Sequence, residues 1–177
     1  IILESSDERY VDGLLNLMDD ANLYLMRECI NLLGRIGNPK ALPTLIDLLN
    51  REPTDDELHE DVIIALGRIG DDRAVDPILA LSSHPNIYIR QRAAKALGSF
   101  SSGRSVDVLI TLLDDESNEV RANAAQSLGM IGDTNAIPAL DNALDDGEWT
   151  VRKQAATALA KFHDEAVIEP MIYALGD

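Results

Sequence analysis

One pattern of residue types returns along this chain at an almost constant interval, and that repetition constrains the fold more than any other feature. Its clearest copy is the stretch 120–133, VRANAAQSLGMIGD; its Gly129 is preceded at 31-residue steps by Gly98 and Gly67, then at 33 by Gly34, and is followed at 31 by Ala160. Self-similarity with a period of about 20 to 50 residues marks an array in which each unit buries its apolar face only by stacking on its neighbours. The pattern therefore predicts a solenoid of helical hairpins, with Gly129 and its counterparts as hinges.

Each period has two helical segments. The first segments are predicted over 41–50, 74–82, 105–114, 136–145 and 167–175, four of them with a proline in the opening turn: Pro43, Pro77, Pro138 and Pro170. Proline is tolerated there because first-turn N–H groups have no helical partner. Polar turns follow, often with an aspartate pair (Asp19-Asp20, Asp114-Asp115, Asp145-Asp146). The second segments are predicted over 25–36, 58–69, 89–100, 120–131 and 151–162. Their apolar residues recur nine, five and one positions before the glycine and two after it, a helical stripe that forms the core. Small pairs such as Ala93-Ala94, Ala124-Ala125 and Ala155-Ala156 let neighbouring helices approach closely. The second glycines, Gly37, Gly70 and Gly132, suit left-handed helix caps, a better account of the repeated GxxG than a phosphate loop. The repeats run over about 7–36, 38–69, 71–100, 102–131 and 133–162, with a partial one at 164–177.

Composition narrows the classes. Of 177 residues 46% are apolar but only 4% aromatic, so the core is built from Leu, Ile, Val and Ala. A net charge of −16 argues against nucleic acid as a partner, since phosphate recognition needs a basic footprint. No apolar run reaches the roughly 20 residues that span a bilayer, so no membrane partner is expected. Cys29, the single cysteine, reads as a small core residue, and a cytoplasmic location is expected. Ile1, Ile2 and Leu3 fall in register with the end of a preceding second helix, and the chain stops within a first helix. The expectation is one domain over 1–177, an interior piece of a longer array.

The pattern VRxxAAxxLGxIGDxxAIPxL, as it stands over 120–140, resembles the short HEAT-like repeats of the phycobilisome-lyase type, and the resemblance covers essentially the whole chain. It implies an all-α fold, a HEAT/armadillo-like α-α superhelix of about five hairpins, with the second helices on the concave face. It also implies a structural ladder between turn aspartates and arginines that open the second helices. Asp115 with Arg121, and Asp146 with Arg152, match at a spacing of six. Elsewhere Arg90 stands opposite His84, His59 opposite Pro53 and Met26 opposite Asp20, so the ladder is expected to be discontinuous.

The side of the second helices away from the core is free to bind. Seven and three residues before the glycine, and one after it, stand Arg27, Asn31 and Arg35; Glu60, Ile64 and Arg68; Gln91, Lys95 and Ser99; Ala122, Gln126 and Met130; Lys153, Thr157 and Lys161, with Arg92 beside them. The five second segments hold 10 of the 15 Lys and Arg but 3 of the 31 Asp and Glu. The helix dipole sorts charges in this sense without any ligand. The functional alternative is a mildly basic groove that receives an acidic segment of a partner protein, with Ile64 and Met130 as apolar contacts.

Catalytic patterns are thin. Deoxyhypusine hydroxylases, also built of HEAT-like repeats, hold two irons with recurrent His-Glu pairs; this chain has one pair, His59-Glu60, and one pair cannot ligate two irons. His84 and His163 share no metal-ligand spacing with it, the acidic turns lack the order of a calcium loop, and Trp149 is assigned to a turn. No catalytic, metal or cofactor residue is therefore expected. The reading is a non-enzymatic interaction scaffold that binds another protein or peptide. The alternative is a bilin-lyase-like subunit, whose tetrapyrrole would offer two propionates to Arg and Lys in the groove. The second repeat carries a two-residue insertion in the acidic turn around Pro53, read as tolerated loop variation.

Overall fold

The computed structural model describes residues 4–19, 22–50 and 56–162, and every regular element among them is helical. The segment 1–3, Asp20, the insertion around Pro53, and 163–177 with His163, Pro170 and the partial last repeat lie outside the described residues. The chain forms two compact units, Ile1–Ile78 and Leu79–Asp177.

Unit 1 contains α1 (Glu4–Asp19), α2 (Leu23–Ile36), α3 (Leu42–Leu49) and α4 (Asp56–Ile69), and the division falls within α5 (Val75–Ala80). α2 packs on α1 and α4, and α3 on α4, around Val11, Cys29, Ile30, Leu33, Leu45, Val62, Ile63 and Leu66. Unit 2 contains α6 (Ile87–Leu97), α7 (Gly103–Leu112), α8 (Asn118–Ile131), α9 (Ile137–Asn142) and α10 (Trp149–Leu159). α8 lies at its centre, packed on α6, α7 and α10, with Ile89, Leu97, Leu109, Val120, Leu128, Leu140 and Val151 closing the core. Burying each such aliphatic side chain contributes about 1.5–3 kcal/mol. The core stripe loosens at its ends: nine positions before the glycine, Leu25 is 38% exposed and Leu58 half-buried where Ile89, Val120 and Val151 are fully buried, and two after it Ile36, Ile69 and Ile131 are half-buried.

Second helices start two residues earlier than the apolar stripe implies, because polar residues before the stripe close the first turn. Asn22 accepts from the Leu25 N–H at 2.9 Å, and Asn86 from the Tyr88 N–H at 2.8 Å. Their ends depend on one residue. Gly37, Gly70 and Gly132 take φ of 72°, 68° and 73°, and their N–H groups donate to Leu33, Leu66 and Leu128. That left-handed cap lets α2, α4 and α8 run to Ile36, Ile69 and Ile131. α6 and α10 lack the second glycine, and they stop at Leu97 and Leu159 instead of 100 and 162.

The first glycine of each pair is not a hinge. α2 and α8 continue unbroken through Gly34 and Gly129, which mark places where the second helices of successive repeats touch backbone to backbone. A Cβ on Gly129 would lie 2.5 Å from the Ala158 Cβ, one on Gly34 2.7 Å from the Ala65 Cα, and one on Gly98 2.6 Å from the Ser127 Oγ. Glycine is needed for lack of volume, and the small residue that receives it, Ala65, Ser127 or Ala158, stands two positions before Gly67, Gly129 or Ala160 of the next repeat.

Candidate functional site

The arginines that open the second helices of unit 2 are fixed in its turns. Arg90 donates through Nη1 to the carbonyls of His84 and Pro85 at 2.9 and 3.2 Å, and through Nε and Nη2 to the Asp115 carboxylate at 2.8 and 3.0 Å. Arg121 repeats this geometry, with Nη1 on the Asp115 carbonyl at 2.8 Å and Nε and Nη2 on the Asp146 carboxylate at 2.8 and 3.0 Å. Arg152 reaches the carbonyls of Asp146 and Gly147 at 2.7 and 3.0 Å. The pairing expected at a spacing of six is thus corrected: Arg121 meets Asp115, and Arg152 meets Asp146, through the main-chain carbonyl. The carboxylates serve the arginine 25 residues earlier. The reason is local, because Asp115 and Asp146 also accept from the Ser117 and Glu148 N–H groups at 2.8 Å, which holds each carboxylate against its own turn. Arg90 opposite His84 is no break, since a carbonyl is all that position must supply.

These are strong charge-assisted bonds in a half-dry setting. The side chains of Arg90 and Asp115 are 8% and 9% exposed. The Arg121 hydrogen bonds hold the Asp146 carboxyl below the usual carboxylate range. With their donors committed inside the protein, Arg90 and Arg121 fasten successive repeats and are not available to a ligand.

In unit 1 several expected contact residues are tied to one another. Arg27 donates to Asp61 at 2.6 Å and to Glu57, and its guanidinium is held in the charged form chiefly by the Asp61 hydrogen bond. Arg68 donates to the Asn31 side chain at 2.9 Å. Ile64, expected as an exposed apolar contact, is half-buried, whereas Arg35 is exposed. Leu23, Tyr24, Arg27, Glu28, Asn31 and Asp61 line an open cleft of about 450 Å³. Its apolar edge, with Leu23 47% and Tyr24 75% exposed, escaped the periodicity argument because both residues precede the core stripe.

In unit 2 the corresponding side of α6, α8 and α10 faces solvent: Lys95, Gln126, Met130 and Lys153 are exposed, as is Lys161 just beyond α10, and Arg92 is half-buried. Two aromatics join them that periodicity did not single out, Tyr88 and Trp149, 63% and 62% exposed. Trp149 is the first residue of α10 rather than part of a turn, and Lys153, one helical turn on, lies over its ring at 5.8 Å. No helix among the described residues is long and apolar enough to cross a membrane.

A family model described as HEAT repeats matches residues 11–81, 76–160 and 106–177. The bilin biosynthesis protein PecE of Mastigocladus laminosus is 46% identical over 66 residues, 36% of this chain and 24% of that protein, so the chain spans about a quarter of its length. The complex of CpcE and CpcF of phycocyanin lyase from Nostoc sp. PCC7120 superposes with a TM-score of 0.74 at 24% identity, over 89% of this chain and 66% of that one. A designed armadillo repeat protein in complex with the peptide (KR)4 superposes with a TM-score of 0.63 at 16% identity, over 93% of this chain and 87% of that one. These likenesses give the fold, the α-α superhelix class. The expectation of a non-enzymatic module is overturned by the similarity to a bilin biosynthesis protein, which points to an enzyme-associated role. The repeat consensus specifies helix packing and carries no chemistry, so the bilin-lyase-like alternative rested on the resemblance, and the similarity to PecE favours it over the scaffold.

Proposed function

The chain belongs to the HEAT-repeat family, and from that premise we propose that it serves a bilin-processing enzyme of the lyase type as a helical-repeat subunit or domain. The observation that carries the proposal is the 46% identity to PecE over 66 residues. Solvent-facing cations of unit 2, Lys95, Lys153 and Lys161, would meet the two propionates of the tetrapyrrole, and that side of unit 2 would hold a protein partner. Such a role asks the repeats to bind and orient, which an array of this kind does by presenting one side of many helices at once. The test is to titrate phycocyanobilin into the protein and record visible absorption. A saturable red shift is expected, weakened when Lys153 and Lys161 are changed to Glu. A spectrum identical to free pigment at every ratio, with helicity intact by circular dichroism, sinks the bilin reading.

A further inference from the structure

We propose that the solvent side of α6, α8 and α10 is a receptor for an extended acidic segment of a partner protein; this rests on the partner-binding half of the reading above, and not on the pigment. Three observations converge on it. Within these three helices the bases are Arg90, Arg92, Lys95, Arg121, Arg152 and Lys153, against the single acid Glu119. The ladder takes Arg90 and Arg121, and Arg152 is held by the carbonyls of Asp146 and Gly147, so the outward charge rests chiefly on the lysines, which no carboxylate pairs among the described residues. Lys95, Lys153 and Lys161 are all exposed. Glu119 accepts from the Ser117 hydroxyl at 2.8 Å in the first turn of α8, where the helix dipole also holds it.

The shape of the face follows from the packing. α8 lies between α6 and α10, so the lysines of the outer rods flank a middle rod that offers the amide of Gln126 and the apolar Met130, 55% exposed. At the opening turn of each outer rod an aromatic stands on the same side: Tyr88 precedes Lys95 by seven residues, and Trp149 precedes Lys153 by four. Packed helices lie about 8–10 Å apart, so a strand crossing three rods at about 3.3 Å per residue needs roughly six residues. Carboxylates of that strand would meet lysines, its backbone the Gln126 amide, and its ends the exposed rings, which contribute most of the area that a hot spot needs.

Charge on the rest of the molecule sharpens the choice. The chain carries −16 overall, so a broad polyanion such as a nucleic acid meets repulsion beyond the lysines, whereas a short acidic segment fits within them. In unit 1 the equivalent helices α2 and α4 hold three bases and five acids, and Arg27 is neutralised by Asp61 and Glu57. The acidic segment therefore belongs to unit 2.

The 177-residue chain holds one tryptophan, Trp149, inside the proposed face. Titration with hexaglutamate, followed by Trp149 emission and by calorimetry, should give saturable binding that weakens about tenfold between low and physiological salt. Lys95→Glu with Lys161→Glu should weaken it by at least about tenfold while circular dichroism stays unchanged. Hexalysine should not bind this face. Absence of hexaglutamate binding in calorimetry overturns the proposal, as do binding unaffected by the double reversal and equal affinity for a single-stranded oligonucleotide. A chain that shifts the pigment spectrum yet ignores hexaglutamate loses this inference alone; the opposite result loses the pigment and keeps the receptor.

Discussion

Units 1 and 2 are made from the same repeat, yet they place their arginines one residue apart and obtain different surfaces. In unit 2 the arginine stands eight positions before the glycine, at Arg90, Arg121 and Arg152, and turns into the loops. In unit 1 that position holds Met26 and His59, and Arg27, one residue later, lies on the outer side of α2 beside Asp61 and Glu57 of α4. The difference teaches where a charge ends up. Arginines sunk in the turns serve architecture and leave the lysines of unit 2 to act outward, whereas unit 1 cancels its arginine on the face itself.

Removing one arginine from each unit tests this division most severely. Arg90→Met leaves the buried Asp115 carboxylate without its bidentate partner and should cost about 3 kcal/mol, since breaking a buried pair strands an uncompensated charge. Arg27→Met in the open cleft of unit 1 should shift a urea midpoint far less, because exposed pairs are screened by water. Equal losses would erase the distinction between the two arginines.

Glycine substitution gives the next largest effect and asks what the units share. Gly129→Ala should destabilise by about 1–3 kcal/mol, because α8 and α10 must separate to admit the methyl group. Gly13→Ala, in α1 with nothing within 4 Å, should stabilise by up to about 1 kcal/mol through helix propensity. A neutral Gly129→Ala in thermal unfolding would restore the hinge.

The smallest effect is the dependence on pH. The Asp146 carboxyl titrates below its ordinary value because of Arg121, so the folded state holds the proton less readily than the unfolded chain. Its contribution is complete above about pH 4, the unfolded carboxylate range, and is lost as pH falls through the lower folded value. Asp146→Asn should therefore show a shallower loss of stability below that pH than the parent. Parallel pH profiles of the two proteins would remove Asp146 from the ladder.

Helices, left-handed caps and the core stripe were legible because they depend on residues within one repeat, where a period of 3.6 and a glycine after the last turn act locally. The ladder was legible in its members but not in its bonding. Arg121 and Asp115 lie six apart and do touch, yet the carboxylate Arg121 binds belongs to Asp146, and only stacking brings that turn into reach. The glycine contacts are of the same kind: a residue without volume reads as flexible until Ala158 is seen against it. Pooling all five second helices also concealed the division of charge, since the acids that open α4 precede its apolar stripe and escaped the count. Tyr88 and Trp149 escaped for that reason too.

Burial of Cys29 has a consequence of a practical kind. At 1% exposure its thiol sits in the interior of unit 1, and burial pushes its ionisation upward, so the reactive thiolate is withheld twice, by access and by protonation. A maleimide or disulfide reagent can then label the native chain only when the first two hairpins come apart, while the lone indole at the start of α10 reports on the other half. The unaltered polypeptide thus comes with a separate clock for the opening of each half.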